Sequence, residues 1–166
     1  MSETTITKDR TIKALKMERV FAAPRERVWQ AWTTDEINKW WGPRGWETTS
    51  KHMDFSLGGY WHYVMKCVDE NQGEWFGMES GGKAVYETID EPNKFVYKDY
   101  FVDADGNVND EMPVMTNTIE FFEEDGKTRV VSTGVFESEE DFDKVIGMGV
   151  EQGAAETWDR LAEYLK

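Results

Sequence analysis

Apolar and polar residues alternate from Asp9 to Phe21, with Ile12, Ala14 or Leu15, Met17 and Val20 in phase, which predicts one strand over 9–21. The polar stretch 1–8 ahead of it is expected to fray. Pro24 suits the first turn of a helix that carries Val28, Trp29 and Trp32 at helical spacing. Thr33 or Thr34 can cap a second short helix with Asp35 and Glu36 in its first turn and Ile37, Trp40 and Trp41 on it. Gly42-Pro43 stops it. Strand patterns follow over 46–55, 60–68, 75–78, 83–89, 94–102, 114–122 and 128–136, with Gly58-Gly59 and Gly81-Gly82 as breaks and Glu124-Asp125-Gly126 as a hairpin turn.

The chain closes on a helical stripe of Phe142, Val145, Ile146, Val150, Ala154, Trp158, Leu161 and Leu165. Ser138 with Asp141 three residues on marks its start. Gly147, Gly149 and Gly153 each weaken it by ~1 kcal/mol against Ala, so a kink or break is expected near 147–149. The order is strand, two short helices, a run of strands, then a helix. Strands in sequence favour an antiparallel sheet. Its apolar face needs a cover, and the terminal helix supplies the long apolar stripe. The expected fold is α+β, a curved antiparallel sheet wrapped around the C-terminal helix, as a single domain over 9–166.

Composition narrows the function classes. Nineteen basic against 33 acidic residues leave a net charge of −14, which repels phosphate backbones and anionic lipid surfaces, so neither nucleic acid nor membrane insertion is expected. A single cysteine, Cys67, forms no internal disulfide and no multi-cysteine metal site. With no secretory pattern at the N-terminus, a soluble cytoplasmic protein is expected. Gly-x-Ser-x-Gly is absent, so a hydrolase nucleophile elbow has no support; Gly-x-Gly-x-x-Gly and P-loop patterns are absent too, so no nucleotide site is suggested and no cofactor is expected.

The segment from Phe21 to Thr33, with Ala22-Ala23-Pro24 and Val28-Trp29-Gln30-Ala31-Trp32, resembles the opening of the activator-of-heat-shock-protein-90-ATPase-like family of the START-like, or SRPBCC, superfamily. Trp40-Trp41-Gly42-Pro43, Gly58-Gly59-Tyr60-Trp61, the spacing of Tyr86, Ile89 and Pro92, and the tail from Met148 to Gly153 with Asp159 to Leu165 are similar to that family too. The resemblance implies the helix-grip fold and a cavity between sheet and terminal helix. The eukaryotic co-chaperones of the family carry an additional N-terminal chaperone-binding domain, for which this chain has no room. Ala154 stands where many relatives have an aromatic residue and Trp158 where Leu is common, which shifts aromatic mass one turn along the helix.

Large apolar walls with a few polar tips suit a small-molecule pocket. Period two puts Trp61, Tyr63 and Met65 on one face of the 60–68 strand, and Phe95, Tyr97, Asp99 and Phe101 on one face of the 94–102 strand. Trp41, Trp75, Met115, Met148 and Trp158 complete the candidate lining. The plain alternative is that these side chains fill a solid core. Asp99 between Tyr97 and Phe101 is a weak catalytic candidate, whose pKa would rise if buried; otherwise it is a solvated strand carboxylate. His52 and His62 can meet across neighbouring strands but lack a third metal ligand. Asp103-Ala104-Asp105-Gly106-Asn107 fails the calcium-loop spacing, with Phe101 in the first-ligand place and Met112 in that of the closing Glu, and reads as a turn. Three functions follow: binding of a hydrophobic or aromatic small molecule, a stress-linked protein interaction of the chaperone-activator kind, and a cyclase- or hydrolase-like enzyme using the same cavity. The second predicts an exposed apolar patch.

Overall fold

A computed structural model describes residues 3–166. Eight strands form one antiparallel sheet in the order β1-β2-β8-β7-β6-β5-β4-β3: β1 Thr5–Asp9, β2 Ala14–Phe21, β3 Trp46–Met53, β4 Tyr60–Cys67, β5 Glu79–Asp90, β6 Lys94–Val102, β7 Met115–Glu124 and β8 Lys127–Phe136. Helix α1 (Arg25–Thr33) and a short 3-10 helix (Asp35–Lys39) follow β2. Helices α2 (Glu139–Gly147) and α3 (Val150–Tyr164) end the chain. The fold is the expected α+β helix-grip arrangement.

The N-terminal part differs from the sequence reading. Thr5–Asp9 is not frayed but pairs with Ala14–Glu18 as an edge hairpin. The single strand expected over 9–21 is split because Lys13 takes a positive φ of 54° and its N–H bonds the Arg10 carbonyl. Ile12, which is in phase with the strand, sits at the exposed turn. Met1 and Ser2 lie outside the described residues.

Pro24 caps α1 without an N–H to lose, and Val28, Trp29, Ala31 and Trp32 are buried against the sheet. Thr34 Oγ1 accepts the Glu36 N–H at the start of the 3-10 helix. Trp29 meets the edges or faces of Phe55, Phe95 and Phe121 at centroid distances of 5.2–5.8 Å. Such pairs add roughly 0.5–1.5 kcal/mol each beyond area burial. The aromatic surplus is thus spent largely on a shared core under α1 and α3. A smaller cluster of Leu15, Phe136, Phe142 and Val145 seats α2.

Ser138 Oγ accepts the Asp141 N–H at 3.0 Å, the predicted cap. The terminal helix breaks where its glycines stand: Gly149, at φ 73°, occupies the left-handed region that a side chain disfavours. The strand expected over 75–78 is absent. Residues Glu70–Trp75 form a 3-10 turn in which Asp69 accepts the Asn71 N–H, and this turn chemistry overrides the apolar Trp75, Phe76 and Met78. Gly81-Gly82 does not break the sheet either, since β5 runs through both.

Candidate functional site: an aromatic recess around Asp99

The register aligns inward-facing residues in rows across the sheet. One row runs Met53, Trp61, Ala84, Asp99, Met115, Phe136. Another places Tyr86, Tyr97, Asn117 and Gly134 opposite one another. Tyr63 lies opposite Gly82, and a Cβ at that glycine would sit 2.2 Å from the Tyr63 phenol, so the missing side chain is what lets the ring lie down on the sheet. The rings of Trp61 and Tyr63 stack at 4.2 Å, and Trp41 packs edge-on against both.

Asp99 is the single charged residue among the buried and half-buried inward positions of β4 to β7. It is half-buried, yet so densely surrounded that desolvation raises its carboxyl from the ordinary 3.8 to about 7. Burial pushes the phenols of Tyr63, Tyr86 and Tyr97 upward, and the nearby Asp99 charge pushes each further in the same direction. No salt bridge or hydrogen bond joins Asp99, Tyr86 or Tyr97 side chains to another protein group among the described residues. Their oxygens are not among the sealed side-chain atoms that lack a hydrogen-bond partner, which among the described residues include Arg19 Nε, Arg25 Nε, Trp32 Nε1 and His62 Nε2. The Asp99 carboxyl therefore keeps part of its surface accessible without a protein partner.

Next to it lies a void of about 10 Å³ between Trp32, Trp41, Trp61, Ala84, Tyr86 and Tyr97. That is room for one water at most. On the other side, Phe101 follows Asp99 on the same face of β6 and lines a groove of about 690 Å³ with Val102, Val108, Met112 and Met148.

The predicted lining residues divide accordingly. Trp61, Tyr63, Tyr97 and Trp158 are buried in the aromatic core; Trp41 and Met65 are half-buried against it. Phe101 and Met115 are half-buried near Asp99, and Met115 leans over Gly134. Trp75 and Met148 are not interior: they are 52% and 55% exposed, because each sits in a turn, one before β5 and one at the helix break. Tyr86 and Asn117 belong to the same face and escaped the sequence reading. For Asn117 the signal was its phase with Met115, Ile119 and Phe121. For Tyr86 a β-bulge between Tyr86 and Thr88 turns both Tyr86 and Ile89 toward the core, although their spacing places them on opposite faces.

The other candidates stay apart. His52 lies opposite His62 but stacks on Tyr60 at 4.1 Å, and no cluster of three metal-ligating side chains exists among the described residues. Asp103 accepts the N–H groups of Asp105 and Asn107, which holds its carboxyl below the usual range and makes the segment a turn. No helix is long and apolar enough to cross a membrane among the described residues.

The profile of the family described as activator of Hsp90 ATPase homolog 1-like protein matches residues 22–166. The chain belongs to this family. The solved structures of this Hsp90-activator-like fold include a protein of Mycobacterium smegmatis that is 32% identical, with a TM-score of 0.87 over 98% of this chain and 97% of that one. A protein of Arthrobacter aurescens is 29% identical at a TM-score of 0.88, over 97% of this chain and 90% of that one. One of Staphylococcus epidermidis is 31% identical at a TM-score of 0.79, over 97% and 93%. No curated protein matches the chain.

Asp99 gives a stability test. An unfolded Asp ionises near pH 4, whereas in the fold the carboxyl holds its proton to about 7. Between those values the folded state binds more protons than the unfolded one, so stability falls as pH rises through the window and levels off above it. Asp99→Asn removes this loss. The stability of the variant relative to the parent is expected to improve by roughly 1–3 kcal/mol between pH 4 and pH 8, the partial exposure of the side chain being discounted. Urea denaturation at both pH values checks it; an Asn-minus-Asp difference that does not change with pH refutes the desolvated carboxyl.

Proposed function

We propose that this member of the family binds a small molecule with a hydrophobic or aromatic body between the sheet and the terminal helices. The supporting observation is the half-buried Asp99 carboxyl beside the buried phenols of Tyr86 and Tyr97, none of them hydrogen-bonded to another protein group among the described residues. Small-molecule sites join apolar surface to a few such groups. The ligand body occupies the groove at Phe101, Met112 and Met148, where methionine surface adapts to shape. Its polar end reaches Asp99. The reading is of a binder more than an enzyme, since Asp99 is hydrogen-bonded to no histidine, cysteine or serine among the described residues. Titration of intrinsic Trp fluorescence with naphthalenemethanol tests it. A saturable change is expected; its absence, with no heat of binding in calorimetry, overturns the reading.

A second reading, association with a protein partner, rests on the β4–β5 connection. Val68, Trp75, Phe76 and Met78 are each 43–52% exposed there, more apolar surface than scattered single residues present. Pull-down with the parent chain and with a Trp75→Ser, Phe76→Ser variant separates the two readings: this one requires captured protein that the variant loses while naphthalenemethanol binding is unchanged.

A further inference from the structure

The recess says something about the ligand's charge. Among the buried and half-buried inward positions of β4 to β7 the carboxyl of Asp99 stands alone, with Ala84 and Met115 as its cross-strand neighbours. No cation among the described residues is paired with it. Around it lie aromatic faces: Tyr97 stacked on Phe95 at 5.9 Å, Tyr86 edge-on to Tyr97 at 6.3 Å, and Tyr63 stacked on Trp61. Ala84, opposite Asp99 on β5, lines the small void with Trp41, Trp61, Tyr86 and Tyr97, so the carboxyl stands one strand away from that aromatic wall.

We infer that the ligand of this recess is an amine, its ammonium group held by the Asp99 carboxylate among the rings of Tyr63, Tyr86 and Tyr97. The inference rests on the small-molecule reading above and specifies its substrate class. Three ligand charges are to be compared. An anionic ligand meets both Asp99 and a chain of net charge −14. A neutral ligand removes the remaining water from Asp99 and gives it no countercharge, which is costly for a carboxylate. An ammonium supplies the missing countercharge through a charge-assisted hydrogen bond. It also sits against aromatic faces, whose quadrupole attracts cations by ~0.5–2 kcal/mol once desolvated. The neutral phenols can accept further N–H bonds. The elevation of the Asp99 carboxyl agrees with this, since it reports a desolvated acid with no positive partner of its own.

The experiment is calorimetric titration at pH 8 with three probes of one shape: naphthylmethylamine, naphthalenemethanol and naphthoate. The amine is expected to bind at least tenfold more tightly than the alcohol, and naphthoate more weakly than either. Asp99→Asn is expected to abolish the amine's advantage over the alcohol, with near-UV circular dichroism confirming the native fold. Tyr97→Phe, which keeps the ring, is expected to cost the amine less than Asp99→Asn does. If the alcohol binds as tightly as the amine, or if Asp99→Asn leaves the amine's advantage intact, the amine assignment is overturned while small-molecule binding stands. If none of the three binds, both are overturned.

Discussion

Trp158→Ala is expected to cost about 3–5 kcal/mol of folding stability, the usual range for removing a large buried ring. Trp158 is the ring by which α3 grips the sheet: it is 3% exposed, with Phe21 of β2 at 5.8 Å and Trp32 of α1 at 6.1 Å. Its removal leaves a cavity that three elements must close together. For a chain of this length the melting temperature should fall on the order of 10 °C. Trp158→Phe keeps part of the ring volume and should recover more than half of the loss. Thermal and urea denaturation measure both; a loss below about 1.5 kcal/mol for the alanine variant means that α3 is not anchored here.

The second large effect is expected at Arg160, also on α3. Its Nη1 faces the carbonyls of Gly42 at 2.8 Å, Trp46 at 3.1 Å, Trp41 at 3.3 Å and Pro43 at 3.4 Å. One nitrogen has two hydrogens, so these bonds are shared among four acceptors. The partly buried guanidinium, its pKa lowered by desolvation and by the Arg44 charge, ties the Trp41–Trp46 loop to the helix. Arg160→Ala leaves those carbonyls facing apolar surface and should cost roughly 2–4 kcal/mol. Arg160→Lys retains a point charge but not the fork, and should fall between parent and alanine. Because Trp41 lies on the tied loop, the alanine variant should also change the near-UV circular dichroism signal. Stability within about 1 kcal/mol of the parent and an unchanged spectrum contradict the clamp.

Much of the architecture could be read from periodicity. The alternation of β4 and β6 sorted Trp61, Tyr63, Phe95 and Tyr97 onto the core face, and helical spacing did the same for Trp29 and Trp32. Ser138 and the glycines at 147 and 149 announced the cap and the break. What periodicity missed was fixed by contacts distant in sequence or by backbone irregularity. A bulge decides the face of Tyr86, and the register with Tyr97 and Gly134 gives Asn117 its meaning. Trp75 and Phe76 look like core residues by composition, but the turn around Gly73 leaves them outside. Asp99 was in view as a lone acid in an apolar phase. Its lack of a partner became visible only when four neighbouring strands were assembled around it.

The place of β2 in the sheet bears on how the protein comes to be made. Residues 14–21 pair with residues 128–135, while β1 can hold only the other edge of β2. A nascent chain therefore emerges with its first hairpin open along one side until nearly four-fifths of the polypeptide has left the ribosome. Pairing over such a separation slows folding and prolongs the interval in which a bare edge can meet another chain.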